Sequence, residues 1–194
     1  MIAELLKGKK VVLASASPRR KEILKNVGIR PLYIPSNIDE EMLDIPPYKL
    51  VMMHSENKAK EVAQHLDNKC IVIGADTVVV LDGKILGKPN SKYQAFDYLE
   101  KLSGKKHLVY TGVTICYKKI VKTFYEKTSV EFDKLSEFDI ENYVETRESF
   151  DKAGAYGIQG FGSQFIKKIN GCYFNVMGFP INRFYQEIKK ILMK

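Results

Sequence analysis

The sequence predicts an α/β protein: a mixed, twisted sheet flanked by helices, two-lobed with a central cleft. Three observations predict it. Short apolar, β-branched runs stand at residues 11–14, 71–73 and 78–81, helical patterns alternate with them, and two long strand-like stretches late in the chain are joined by a bend too short for a crossover. With 194 residues and 45% hydrophobic content, the chain can bury one sizeable core drawn out into two lobes. No internal repeat or low-complexity linker divides it, so residues 1–194 read as a single sequence domain.

Taken in order, the first strand run at 11–14 leads into a helix predicted over 18–27, with Pro18 in its first turn and Ser17 as its N-cap. An extended stretch at 31–35 precedes an acidic loop, Asp39-Glu40-Glu41, and Pro46-Pro47 opens a long helix over 48–66. Two strands then flank Gly74-Ala75-Asp76-Thr77, which reads as a turn. A helix follows over 92–102. Strands at 109–117 and 121–132 form a hairpin bending at Lys118-Lys119. A helix over 137–146, a glycine-rich segment at 154–162, a strand at 165–169 and a terminal helix from Pro180 complete the chain.

Composition excludes several classes. No apolar run approaches the ~18 residues of a membrane helix, and the amino terminus lacks the features of a secretion signal, so a cytoplasmic, membrane-free protein is expected. Cys70, Cys116 and Cys172 form neither a metal pair nor a disulfide set and read as buried thiols or strand residues. The charge of +8, from 31 basic and 23 acidic residues, attracts anions. Its even spread, without a basic stripe interleaved with aromatics, favours a small anionic ligand over a nucleic-acid track.

Asp76 is the first candidate for chemistry, because a carboxylate where apolar runs meet is costly to bury unless something pairs with it. A turn aspartate bonding its own backbone is the ordinary alternative. The second candidate is Ala14-Ser15-Ala16-Ser17-Pro18-Arg19-Arg20, at a strand-to-helix junction. There, unpaired amides of the helix start, the Ser15 hydroxyl and the guanidinium groups of Arg19 and Arg20 suit phosphate oxygens. The glycine and lysine pattern of a Walker loop is missing, which disfavours a phosphate-transferring ATPase. If the ligand is a nucleoside triphosphate, Glu40 and Asp76 are hard oxygen ligands for Mg2+ or Mn2+. Lys58 and the turn-held Lys88 of Gly87-Lys88-Pro89 would then offset phosphate charge. In the glycine-rich segment, close backbone approach to a flat ligand is one reading. Gln159 could read a base edge there, and Tyr156 could pack in the pocket.

These blocks together resemble the Maf family of nucleoside triphosphate pyrophosphatases. The resemblance is carried by Ser15-Ala16-Ser17-Pro18-Arg19-Arg20, Asp39-Glu40, Glu56-Asn57-Lys58-Ala59, Gly74-Ala75-Asp76-Thr77, Gly87-Lys88-Pro89, Leu102-Ser103-Gly104 and the segment 151–160. Lys167-Lys168-Ile169-Asn170-Gly171 and Gly178-Phe179-Pro180 follow in family order. The blocks span nearly the whole chain and depart from the pattern at no catalytic position.

The resemblance implies an inosine triphosphate pyrophosphatase-like (Maf/Ham) fold and metal-dependent hydrolysis between the α and β phosphates, giving a monophosphate and pyrophosphate. Asp76 carries over as catalytic base, Glu40 as its acidic partner near the metal, and Ser15, Arg19, Arg20, Lys58 and Lys88 as phosphate-holding residues. Arg19, Thr77 and Gln159 match positions of base selectivity and point to the dTTP and UTP branch. A sister branch acting on 7-methyl-GTP has glutamine after the aspartate and glutamate in place of Gln159. The resemblance further implies a part in limiting incorporation of non-standard nucleotides, a link to cell-division arrest, and room for a homodimer. A non-enzymatic septum-formation regulator and a nucleic-acid-binding module are the alternatives of other classes.

Overall fold

A single helical turn, α1 (Ile2–Leu5), precedes β1 (Val11–Ala14), whose four residues are all buried. A short run without polar alternation is what a strand covered on both faces requires. The structure, a computed structural model, describes residues 1–193. From β1 the chain enters α2 (Pro18–Asn26), then β2 (Leu32–Tyr33) and the long helix α3 (Pro47–Ala63). β3 (Ile71–Leu81), β4 (Lys84–Leu86) and α4 (Lys92–Leu102) follow, then β5 (Lys106–Tyr117), β6 (Ile120–Phe132) and α5 (Glu137–Glu145). Two 3-10 turns, Ala153–Ala155 and Gly160–Phe165, lead to β7 (Ile166–Asn170), α6 (Tyr173–Val176) and α7 (Ile181–Leu192).

The sheet is mixed, in the order β2-β1-β3-β5-β6-β7, with β4 also paired to β3. β1 runs parallel to both β2 and β3, in a register that sets Ala14 opposite Gly74. β4 is antiparallel to β3 and β7 antiparallel to β6. No helix among the described residues is long and apolar enough to cross a membrane. By internal contacts the chain divides into unit 1 (Met1–Asp76, Thr111–Glu126 and Gly178–Lys194) and unit 2 (Thr77–Tyr110 and Lys127–Met177).

Within unit 1, α3 lies directly on the sheet. Its buried residues Leu50, Val51, His54, Ser55, Lys58, Ala59 and Val62 form one stripe at helical spacing. Two glycines let it approach. A Cβ on Gly74 of β3 would sit 2.8 Å from the Ala59 amide nitrogen, and one on Gly112 of β5 2.8 Å from that of Met52, closer than real side chains come.

Gly74 therefore corrects the sequence reading. The segment 74–77 is not a turn between two strands but the middle of one continuous strand, β3. The glycine serves helix packing rather than a change of direction. Ser17 stands at the N-cap of α2 but makes no side-chain cap bond. Instead its backbone N–H donates to the Ser15 hydroxyl at 3.3 Å. α1, β4 and α6 were not anticipated; at 4, 3 and 4 residues they are too short for a periodic pattern to register.

Unit 2 has its own core, including Val79, Leu99, Val130, Phe132, Tyr156 and Phe165. The glycine-rich segment fits that core: a Cβ on Gly154, which takes φ +68°, would meet the Val79 side chain at 2.9 Å. Its loop wraps Glu148, whose carboxylate accepts from the amides of Phe161 at 2.9 Å and Gly162 at 3.3 Å and from the Tyr143 hydroxyl at 3.1 Å. Tyr156 is buried against Phe132 with ring centroids 4.7 Å apart, so it is a core residue of unit 2 rather than an open pocket wall. All three cysteines are free; Cys70 and Cys116 are buried as expected, whereas Cys172 is half-buried at the N-cap of α6, neither a buried thiol nor a strand residue.

Candidate active site

Period-two alternation along β3 puts Asp76 on the same face as Gly74, the face that receives α3. On α3, His54 and Lys58 lie one helical turn apart within the buried stripe, where apolar residues would ordinarily stand. Both therefore point at Asp76. His54 Nδ1 lies 3.2 Å from Asp76 Oδ2, and Lys58 Nζ donates to Asp76 Oδ1 at 2.9 Å. Lys58 Nζ also pairs with Glu40 Oε1 at 2.6 Å, which ties the acidic loop to the helix. The other histidine nitrogen, Nε2, lies 3.0 Å from the Glu41 carbonyl oxygen.

The Asp76 side chain is only 6% exposed. Burial pushes its carboxyl up, but the hydrogen bond from His54, the charge and hydrogen bond of Lys58, and the Arg20 charge outweigh it and hold Asp76 well below the usual carboxylate range. The hydrogen bond to Asp76 pushes His54 up despite burial, helped by the Asp76 charge and the Glu41 carbonyl. An ionised carboxylate facing the Lys58 ammonium and an imidazole that holds its proton more tightly than usual is the result.

Arg20 fixes the backbone around this cluster. Its Nε donates to the Gly178 carbonyl at 2.8 Å, and its Nη1 donates to the Ser15 hydroxyl and the Ala75 carbonyl, both at 2.9 Å. Ser15, Ala75 and Gly178, from three chain segments, are thus held by one buried guanidinium. Arg19 is half-buried in the first turn of α2. That helix starts at the carboxyl end of β1, beside Gly74, where open parallel sheets present helix termini and loops to ligands.

Of the residues singled out in the sequence, Ser15, Arg20, Glu40, Lys58 and Asp76 are thus bonded into one network in unit 1. Thr77, half-buried, follows Asp76 on β3 and alternates to the opposite face. Lys88 is exposed after β4, and Gln159 is half-buried just before the second 3-10 turn, both in unit 2. Sequence reasoning missed His54. Its signal was a histidine four residues before Lys58 on an apolar helical stripe.

Glu40, His54 and Asp76 each offer a ligand atom, all within 4.8 Å of one another. Two carboxylates and an imidazole at that spacing are a donor set a divalent cation accepts.

A family model described as Maf-like protein matches residues 10–191. The chain belongs to the Maf-like family. The chain is 46% identical over 183 residues to the dTTP/UTP pyrophosphatase of Carboxydothermus hydrogenoformans, covering 93% of this chain and 98% of that one. To the dTTP/UTP pyrophosphatase of Clostridioides difficile it is 49% identical over 185 residues, covering 93% and 94%. The solved Staphylococcus aureus Ham1 protein matches with a TM-score of 0.54 at 15% identity, over 94% of this chain and all of that one. That likeness is of fold alone, and it agrees with the Maf/Ham architecture implied by the sequence.

Proposed function

We propose that this chain hydrolyses dTTP and UTP to the monophosphate and pyrophosphate with the help of Mg2+ or Mn2+. The observation that carries the reading is the buried Asp76 carboxylate held between Lys58 and His54, with Glu40 bridged to it through Lys58. Pyrimidine triphosphates are the substrates named for relatives 46% and 49% identical. Acting on free nucleotides, the enzyme belongs in the cytoplasm.

Glu40, Asp76 and His54 would hold the cation. When bound, it would offset phosphate charge and lower the pKa of a coordinated water. A carboxylate held so strongly ionised is a weak proton acceptor. Asp76 therefore acts mainly by orienting the attacking water and carrying negative charge next to the cations, and less by taking up a proton outright. Lys58, anchored at both carboxylates, supplies fixed positive charge where the leaving pyrophosphate develops negative charge. Ser15, Arg19 and the start of α2 receive phosphate oxygens, and Arg20 keeps that edge in place. Lys88 as a further phosphate ligand, and Thr77 and Gln159 as base-selecting residues, are assigned on their motifs alone.

The test is pyrophosphate release from dTTP, UTP, CTP, GTP, ATP and 7-methyl-GTP, with and without Mg2+ or Mn2+. Metal-dependent release confined to dTTP and UTP is expected. Preference for 7-methyl-GTP would overturn the assignment of Thr77 and Gln159, and silence across the panel would overturn the activity.

A further inference from the structure

Resting on the reading of this cluster as a divalent-metal site, we propose that His54 is a nitrogen ligand that shifts the site's preference from Mg2+ toward first-row transition ions. Magnesium favours an all-oxygen shell with retained waters. An imidazole adds a borderline donor that magnesium uses poorly and Co2+ or Ni2+ use well.

The geometry is that of a supported ligand. Ligating histidines characteristically donate their other ring N–H to a carbonyl or carboxylate, which fixes the tautomer and the ring orientation. Here Nε2 lies 3.0 Å from the Glu41 carbonyl oxygen, which can only accept, so Nε2 carries a hydrogen. Nδ1 faces Asp76, at 3.2 Å from Oδ2, on the side shared with Glu40; it shares a proton with that carboxylate in the metal-free protein and would release it on binding a cation. The residue that orients the ring thus directly follows one of the two acids. The helical stripe holds the ring from behind: His54 is 4% exposed. Neither other histidine competes for this role. His65 is exposed beside Gln64, and His107 bonds the Tyr156 hydroxyl at 2.7 Å in unit 2.

The experiment uses the whole chain without nucleotide. Affinities for Co2+ and Mg2+ are measured by calorimetry for the unaltered protein, His54→Leu and His54→Gln, and proton NMR is recorded on the Co2+-loaded forms. The unaltered protein should bind Co2+ more tightly than Mg2+ and show a strongly shifted, solvent-exchangeable imidazole N–H resonance. Both variants should lose that resonance and about tenfold or more of their Co2+ affinity, while Mg2+ affinity moves by less than about threefold. Glutamine keeps an amide donor, so a His54→Gln variant with unaltered Co2+ affinity would show that the ring serves only as a hydrogen-bond partner of Asp76, and would overturn the proposal. So would a missing N–H resonance in the unaltered protein, a result that needs no variant to fold. Silence of the nucleotide panel beside an intact resonance would sink the substrate reading and leave the ligation standing. Hydrolysis without the resonance would do the reverse.

Discussion

Each unit of this chain buries a histidine, and the two are treated in opposite ways. In unit 1, His54 meets a carboxylate at one nitrogen and a carbonyl at the other, and its surroundings favour the cation. In unit 2, His107 lies edge-on to the rings of Phe132 and Tyr156, bonds only the Tyr156 hydroxyl, and has no partner at Nδ1 among the described residues. Burial pushes it down to about 4. A polar group in a core is either matched charge for charge or kept neutral among apolar neighbours. Only the first arrangement concentrates charge where a triphosphate could use it, so perturbing the Asp76 cluster of unit 1 should change turnover and perturbing the His107 core of unit 2 should change stability.

Short of removing the Asp76 charge itself, the largest effect should come from Lys58→Met. It removes the cation bonded to Asp76 and Glu40, and hydrolysis of dTTP should fall ~10²- to 10³-fold, read as initial rates of pyrophosphate release. A fall of less than threefold would break the contrast. The His107 effect is next and shows in stability alone. Its pKa is about 4 in the fold against 6.5 ordinarily, so the unfolded chain takes up a proton that the folded one refuses. Stability is fully present above pH 6.5 and is lost as pH falls toward 4, by about 3 kcal/mol in total. Denaturant melts across that window should show the slope, and His107→Leu should flatten it. The smallest effect is that of Ser91→Ala. Its hydroxyl accepts from the Gln94 amide at 3.1 Å and caps α4, a helix that buries Ala95, Leu99 and Leu102 in unit 2. The loss should be about 1 kcal/mol by the same melts, with no change in turnover.

Much of this contrast was legible in the sequence, because element type follows from local pattern. The helix at 92–102 and the long strand pair from His107 to Phe132 were readable from periodicity and turn residues alone. Asp76 stood out because an acid between apolar runs demands a partner. Its partner on the helix, His54, was not legible: it lies 22 positions earlier, and only the approach of α3 across Gly74 joins them. Gly74 was misread for the same reason, since a glycine that permits a turn and one that admits a neighbouring backbone look alike in sequence. Arg20 shows a third case. Its charge suggested phosphate contact, whereas the bonds to Ser15, Ala75 and Gly178 that hold the site together come from segments far apart in the chain.

The most direct test of the catalytic role of the unit 1 cluster is the turnover of Asp76→Asn with dTTP and Mg2+ or Mn2+, alongside a thermal melt. Asparagine keeps the shape and loses the charge. A folded variant whose pyrophosphate release falls ~10²- to 10⁴-fold is the expected result, and a folded variant working at the unaltered rate would contradict it.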